Sequence, residues 1–214
     1  KITFLNKDCV FNSDDIINSS TAIVGYLGST ADQYAEAHSR KFTDIETGKT
    51  IMRGSFGSGS KYIVEDGVMT ISGTGELTGN YNVESSLVTD VVIEEGITGI
   101  GDSAFSSYSS LKSIKIPSTV ENIKPTAFID SVNLKDVEIS ADNKALVYED
   151  GMILDADKTK LLLVMPYVKK LQIPATVTTI GTFAFTGADL VEEVTLPKTV
   201  TDVEMGAFGG CSGL

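Results

Sequence analysis

The sequence predicts a β-rich α+β protein whose second half is a solenoid, because one pattern recurs there every 23 residues. An Ala-Phe pair ends each unit: Phe105 and Phe128 are 23 positions apart, as are Phe185 and Phe208. The 57 positions between Phe128 and Phe185 equal one unit plus an insertion of 34 residues. A repeat in the range of about 20–50 residues is typical of stacked units that bury their apolar faces against their neighbours.

Each unit is expected to begin with a strand. Ile114 and Ile116 alternate with Ser113 and Lys115, which places the two isoleucines on one face of the strand and the polar residues on the other. A proline ends the strand in three units, because proline has no amide to donate to a ladder. The expected strand starts, with Leu214 in register as a sixth, are Val88, Leu111, Leu134, Val168 and Val191.

One unit cannot fold alone. Its roughly six or seven buried apolar side chains contribute roughly 10–20 kcal/mol. Fixing its 23 residues costs roughly 1–2 kcal/mol for each residue. Neighbouring units must therefore cover both flanks of every unit in the array.

The period is interrupted by residues 141–166. Apolar runs there flank the turn pair Asp150-Gly151, which is a strong signal for a tight hairpin. A second turn follows at residues 155–159, before another apolar run. The insertion is therefore predicted to be a β-hairpin, or a three-stranded meander, that projects from one edge of the solenoid.

The repeated segments resemble a known family. LKSIKIPSTVENIKPTAF (111–128) and VEEVTLPKTVTDVEMGAFGGCSGL (191–214) are similar to the BspA-type (Treponema-type) leucine-rich repeat, L-x-x-I-x-I-P-x-x-V-x-x-I-G-x-x-A-F-x-x-C-x-x-L. Gly101 and Gly181 match the glycine of this pattern, whereas Lys124 and Glu204 depart from it. The resemblance covers residues 88–214 and implies a leucine-rich-repeat solenoid of about five rungs.

Residues 49–87 are expected to cap the first rung, because an open end exposes apolar surface and unpaired backbone. The pair Asp66-Gly67 between apolar runs predicts a second hairpin there. The preceding GSFGSGS (54–60) is glycine-rich but lacks the lysine of a phosphate-binding loop, which favours a linker.

Residues 1–48 are predicted to form a small strand-helix-strand module. Residues 2–11 alternate as a strand, Ser29 is a helix N-cap with Asp32 in the first turn, and Tyr34 and Ala37 are assigned to the inner face of the helix. AIVGYLGSTADQYAEAHSRKFTDI resembles the tail that follows a BspA-type array. Either the chain is a window from a longer protein with two repeat blocks, or this module caps something unusual.

A cap-like module at one end and an open rung at Leu214 suggest an association between molecules. We expect these two surfaces to meet head to tail.

The composition narrows the classes of partner. A net charge of -12 argues against nucleic acid and anionic lipid, which attract Lys and Arg patches. No apolar run is long enough to span a bilayer. Cys9 and Cys211 lack metal-ligand spacing, and each is expected to be a small buried residue.

Candidates for chemistry are few. His38 has no Ser, Cys or Asp arrangement around it that would suit a catalytic triad, and is expected to end the helix. The adjacent carboxylates at 14–15, 94–95 and 192–193 would point to opposite faces of a strand, unlike a glycosidase pair. Asp155 and Asp157 could share a calcium ion, but a solvated turn is favoured. No cofactor and no metal site is expected.

The outer face of the predicted sheet carries mixed charge and no aromatic ring. It therefore lacks the stacking platform of a sugar site and the Trp, Tyr and Arg of protein hot spots. Tyr148 and Tyr167, expected to be exposed near the insertion, are better candidates for contact with a partner. The remaining candidate contacts are Lys112, Lys115, Lys135, Lys169 and Lys170.

BspA-type repeats are associated with adhesion and with binding of proteins or host matrix. The resemblance therefore implies a non-enzymatic interaction module of a secreted or cell-surface bacterial protein, with any signal peptide outside this chain. Two alternatives remain open: a spacer domain in a larger surface protein, and a repeat region attached to a surface hydrolase.

Overall fold

The computed structural model describes residues 1–12, 16–57, 59–79 and 83–214. The part of the chain that precedes the array forms a helix and a series of strands with these bounds: β1 (Ile2–Thr3), β2 (Ile23–Gly25), α1 (Thr30–Ala37), β3 (Phe42–Asp44), β4 (Thr50–Phe56), β5 (Ser60–Glu65), β6 (Val68–Gly73) and β7 (Gly75–Leu77). A 3-10 turn at Ser85–Leu87 leads into the array.

The array and its insertion supply the remaining strands. Their bounds are β8 (Asp90–Ile93), β9 (Ile97–Ile100), β10 (Ser113–Ile116), β11 (Asn122–Ile123), β12 (Asp136–Ile139), β13 (Leu146–Glu149), β14 (Met152–Asp155), β15 (Lys160–Val164), β16 (Leu171–Gln172), β17 (Thr179–Ile180), β18 (Val194–Thr195) and β19 (Asp202–Val203).

One sheet connects the N-terminal segment to the array, in the strand order β1-β2-β3-β4-β5-β6-β8-β10-β12. Strands β1 to β3 are parallel, β3 to β6 alternate in direction, and β8, β10 and β12 are parallel to β6. The array strands therefore run opposite to β1. The sheet passes the predicted domain boundaries near residues 48 and 87 without a break, and the division into folding units stays a prediction.

The rungs stack in a register of 23 residues. Ser113 pairs with Asp90 on one side and with Asp136 on the other. The rings of Phe105 and Phe128 stack with centroids 5.9 Å apart and planes 9° apart, so each Ala-Phe pair covers the next one. Ile114 and Ile116 point into the core and Lys115 points out, as their alternation predicts. The predicted β-rich solenoid is confirmed.

The second strands of the rungs form two further sheets, β11-β9-β7 and β13-β14-β15-β17-β19, and β16 pairs with β18 alone. Thus the sheets on both sides of the solenoid are interrupted at the insertion.

The insertion is a three-stranded antiparallel meander of β13, β14 and β15. Asp150 and Gly151 form its first turn with φ values of 48° and 81°, the positive pair that a tight hairpin requires. The expectation that the insertion projects from an edge is wrong. Met152, Ile153 and Leu154 are apolar on both faces of β14, so the strand is buried on both faces and belongs to the main core.

The predicted capping segment, residues 49–87, contains the antiparallel strands β4, β5 and β6, and the predicted hairpin at Asp66-Gly67 joins β5 to β6. The interpretation of residues 54–60 as a linker is wrong. Gly54 and Phe56 belong to β4, and the fully buried Phe56 packs against Tyr62 of β5. Glycine at position 54 leaves room for the Tyr62 ring across the strand pair. Ser58 lies outside the described residues.

The N-terminal segment builds a second, smaller core. Ile23 and Phe42 lie on β2 and β3, and Tyr34 of α1 packs against them. Ser29 caps the helix as predicted, because its hydroxyl accepts the Asp32 amide. Two details differ: Ala37 is exposed while Ala35 is buried, and the first strand covers only Ile2–Thr3.

Helix α1 lies on the outer face of the sheet, opposite the solenoid core. On β4, Met52 points into the solenoid core, whereas Ile51 pairs with Phe42 on the other face. Arg53 shares the face of Ile51, and its guanidinium donates to the Asp32 carboxylate of α1 at 2.6 Å. Asp32 is buried, so this ion pair fixes the position of the helix on the sheet.

Asn143 joins the last regular rung to the meander. Its side-chain amide donates to the carbonyls of Pro117 and Val120 at 3.0 and 2.8 Å. Its side-chain oxygen accepts the amides of Ala145 and Leu146, both at 2.9 Å. A buried asparagine therefore takes the place that Val120 has one rung earlier and pairs four backbone groups where the array is interrupted.

Asn143→Ala is expected to lower the free energy of unfolding by about 2–4 kcal/mol, because buried backbone groups lose their partners. Asn133→Ala is the control. It removes an exposed amide that donates to the Ser109 carbonyl at 2.7 Å, and should cost less than about 1 kcal/mol. Urea denaturation measures both variants, and equal losses would contradict the role of Asn143.

Candidate functional site

The sheet face opposite the core is open over the array. Along β8, β10 and β12 the outward side chains form the rows Asp90-Ser113-Asp136 and Val92-Lys115-Glu138. Lys115 contacts Glu138 at 3.0 Å, and both side chains are exposed. The same face of the sheet is covered by α1 further toward the N-terminus. The array therefore presents an uncovered sheet surface of mixed charge, which we call the open face.

The five predicted contact lysines are all exposed at this face and fall into two groups. Lys112, Lys115 and Lys135 belong to β10 or to the loops that precede β10 and β12. Lys169 and Lys170 precede β16, which pairs with β18 in a separate sheet. In the described residues β12 and β16 do not pair, so the insertion separates the two groups.

Tyr148 and Tyr167 lie at this separation, but they are not exposed as expected. Both are half-buried and pack against the main core, and their hydroxyls are 2.6 Å apart. Burial, followed by the hydrogen bond between the Tyr148 and Tyr167 hydroxyls, raises the pKa of Tyr148 above its usual value. The expected exposure is wrong because the meander that carries Tyr148 is part of the core.

A cleft of about 350 Å³ lies beside these tyrosines, between β12 and β13. Val137, Ile139, Val147 and Tyr148 line it. In the described structure β12 pairs only with β10, and β13 pairs only with β14. Two unpaired strand edges therefore face one cleft, which we call the interruption cleft. The sequence signals it only indirectly, through the point where the 23-residue period stops.

A second cleft, about 560 Å³, lies where the N-terminal segment meets the start of the array. Its lining includes hydroxyl side chains such as Ser19, Thr43 and Thr50. The charged groups described there have partners: the Arg40 guanidinium donates to three backbone carbonyls, and Lys41 contacts Glu84 at 2.6 Å. This arrangement holds the loop at residues 17–21 in place.

A family model for the BspA type leucine rich repeat region matches this chain in six copies, over residues 67–149 and 165–214. These residues make up more than half of the sequence. The chain belongs to the BspA-type leucine-rich repeat family.

The chain is similar to solved bacterial proteins and spans less than two thirds of the length of the three that follow. A leucine-rich repeat protein of Eubacterium ventriosum is 21% identical over 74% of this chain and 63% of its own, with a TM-score of 0.40. One from Bacteroides ovatus is 25% identical over 73% of this chain and 39% of its own, with a TM-score of 0.38. A leucine rich cell surface protein of Faecalibacterium prausnitzii is 23% identical over 73% of this chain and 46% of its own, with a TM-score of 0.38. No curated protein matches the chain.

The remaining sequence candidates that the structure describes have structural roles in this BspA-type protein. His38 is the C-cap of α1, its Nδ1 lies 2.7 Å from the Tyr34 carbonyl, and its ring stacks on Tyr34. Asp155 uses both carboxylate oxygens to accept the amides of Thr159 and Lys160 and the Thr159 hydroxyl, which forms the second turn of the meander. Nowhere in the described part of the chain do three or more potential metal ligands converge.

The paired carboxylates that the structure describes accept hydrogen bonds or are exposed to solvent. Glu95 accepts the Ser118 amide and hydroxyl of the next rung, and Glu192 and Glu193 are exposed. Asp14 and Asp15 lie outside the described residues. Cys9 and Cys211 are free thiols, and both are half-buried rather than buried as expected. Among the described helices, none has the length and apolar character to cross a bilayer.

Surface carboxylates accept hydrogen bonds from residues of neighbouring rungs and so connect the rungs. Asp90 accepts the Ser113 hydroxyl at 2.5 Å, and Asp189 accepts the amide and hydroxyl of Ser212. Glu204 accepts Lys160 and Thr182, and so connects the meander with two rungs. These hydrogen bonds lower the pKa of Asp90, Asp189 and Glu204 below the usual values, since each favours the ionised form.

A lowered folded-state pKa gives stability that is present above the unfolded pKa, about 3.9 for Asp, and is lost as pH falls through the folded pKa. Ser113→Ala removes the main cause of the Asp90 shift. At pH 7 it should lower the free energy of unfolding by about 0.5–1 kcal/mol, the range for a solvent-screened hydrogen bond. The difference from wild type should shrink as pH falls below about 4.

Thermal unfolding followed by circular dichroism at several pH values tests this prediction. Ser110→Ala, in the adjacent loop, is the control, because its hydroxyl forms no hydrogen bond within the described structure. A difference between wild type and Ser113→Ala that stays constant from pH 7 to pH 3 would contradict the assignment.

Proposed function

We propose that this chain is a non-enzymatic protein-interaction module of a secreted or cell-surface bacterial protein. The open face carries this proposal. Helix α1 covers one part of the sheet, whereas the part built by the BspA-type array is left uncovered and carries exposed charged residues on adjacent strands. The described acidic and histidine candidates serve turns, caps and contacts between rungs, so they provide no arrangement for catalysis.

The charges of the open face suggest how a partner would be recognised. Lys112 and Lys135 lie on adjacent rungs, beside Asp90 and Asp136. Exposed charges of this kind steer association and set its salt dependence more than they set affinity. We infer that the partner is an extracellular protein, of the host or its matrix, with a surface of complementary mixed charge.

The test compares two charge reversals of equal size. Lys112→Glu with Lys135→Glu alters the open face, whereas Lys124→Glu with Lys198→Glu alters exposed lysines elsewhere on the array. Surface plasmon resonance against a panel of purified extracellular-matrix proteins should find a partner whose binding is weakened at least about tenfold by the first pair only. Equal weakening by both pairs would contradict the role of the open face.

The two alternative functions give different outcomes in the same experiment. A spacer domain would bind no member of the panel beyond the level of an unrelated acidic protein. A repeat region attached to a hydrolase would contribute binding only when it is joined to its catalytic domain. Either result would overturn the interaction proposal for this chain on its own.

A further inference from the structure

Strand β12 has one paired edge and one unpaired edge. The Asp136 amide donates to Lys112 at 3.0 Å and the Ser140 amide donates to Ile116 at 2.9 Å, so both point toward β10. Backbone groups alternate in direction along a strand. The amides and carbonyls of Val137 and Ile139 therefore point away from β10, into the interruption cleft.

The side chains beside the unpaired edge of β12 are more exposed than their counterparts on β10. Val137 and Ile139 are half-buried, whereas Ile114 and Ile116, opposite them on β10, are 0% and 2% exposed. Strand β13 lies on the far side of the cleft and leaves its own outer edge unpaired within the described structure. The interruption cleft thus offers unpaired backbone together with partly exposed apolar side chains, the two requirements for strand addition.

The paired edge of β12 shows what kind of strand fits it. Ile114 and Ile116 pack beside Val137 and Ile139 in the core. Between them, Lys115 reaches Glu138 at 3.0 Å on the outer face. A strand that alternates an apolar residue with a basic residue therefore matches both the apolar side and the acidic side of β12, which carries Asp136 and Glu138.

We propose that the interruption cleft binds an extended segment of a partner protein, which adds as a strand to the free edge of β12. The segment has apolar residues at alternate positions, beside Val137 and Ile139, and a basic residue between them, beside Glu138. This inference rests on the proposed interaction function and names the class of segment that is recognised. Tyr148 lines the cleft, and its hydroxyl lies 2.6 Å from the hydroxyl of Tyr167.

The probe is a fluorescein-labelled peptide, Lys-Ser-Ile-Lys-Ile-Pro, which has the sequence of residues 112–117. Fluorescence anisotropy with the full chain should show saturable binding at low ionic strength. Replacement of the second lysine by glutamate should weaken the binding of the peptide at least about tenfold, because a like charge would face Glu138. Absence of saturable binding would overturn the proposal.

N-methylated peptides test the backbone pairing directly. One peptide is methylated at the backbone nitrogens of its two isoleucines, and the other at those of its serine and second lysine. The two sets of methyl groups block opposite edges of the peptide strand. One of the two should abolish binding and the other should leave it within about twofold. Loss with the isoleucine set indicates antiparallel addition, and loss with the polar set indicates parallel addition. Equal effects of both sets would overturn strand addition.

A protein variant locates the site. Val137→Pro removes an amide that points into the cleft but leaves the hydrogen bonds with β10 intact. The variant should bind the peptide at least about tenfold more weakly than the wild type does. Val194→Pro is the matched control, since Val194 has the equivalent repeat position on β18. Circular dichroism establishes that both variants are folded. Equal affinity of Val137→Pro and wild type would overturn the assignment.

These experiments distinguish a failure of the cleft proposal from a failure of the proposed interaction function. If the peptide fails to bind while a whole extracellular protein still binds through the open face, the cleft proposal fails and the interaction function stands. If the peptide binds but no protein of the panel does, the cleft stands and the open face is not the principal site.

Discussion

The structure depends on one constraint: every 23-residue rung needs a neighbour on each side. Backbone hydrogen bonds such as Lys112 N–H to Thr89 O and Lys124 N–H to Ile100 O cross between rungs rather than within them. The apolar columns are buried by the same neighbours, as the stacked rings of Phe105 and Phe128 illustrate. A rung that loses a neighbour therefore loses backbone partners and apolar cover together.

The interruption at residues 141–166 shows how the chain meets this constraint. On the inner side, Asn143 supplies the hydrogen bonds that the next rung would have supplied, and the meander fills the core with β14 and β15. On the open face no equivalent substitute exists in the described residues, so β12 keeps an unpaired edge. The interruption cleft therefore lies at the place where the repeat pattern stops.

Much of this fold can be predicted from local patterns. The alternation around Ile114 and Ile116, the Asp-Gly turns and the Ser29 cap depend on short-range backbone geometry, and the structure contains all three. The burial of the meander and of Phe56 could not be predicted, because a glycine-rich or irregular segment gives no period from which burial follows.

The missed features of the site are long-range contacts. Asn143 contacts residues 23 and 26 positions away, and Arg53 selects the face of the sheet that α1 covers. The interruption cleft also depends on long-range structure, because it exists where no described strand pairs with the second edge of β12.

The most direct measurement is hydrogen exchange of the individual amides of β12, followed by NMR. The structure predicts that Glu138 and Ser140, which face β10, exchange at least about 100-fold more slowly than Val137 and Ile139, which face the cleft. Four equally protected amides would show that β12 is paired on both edges, and would contradict the central claim that the interruption leaves one edge free.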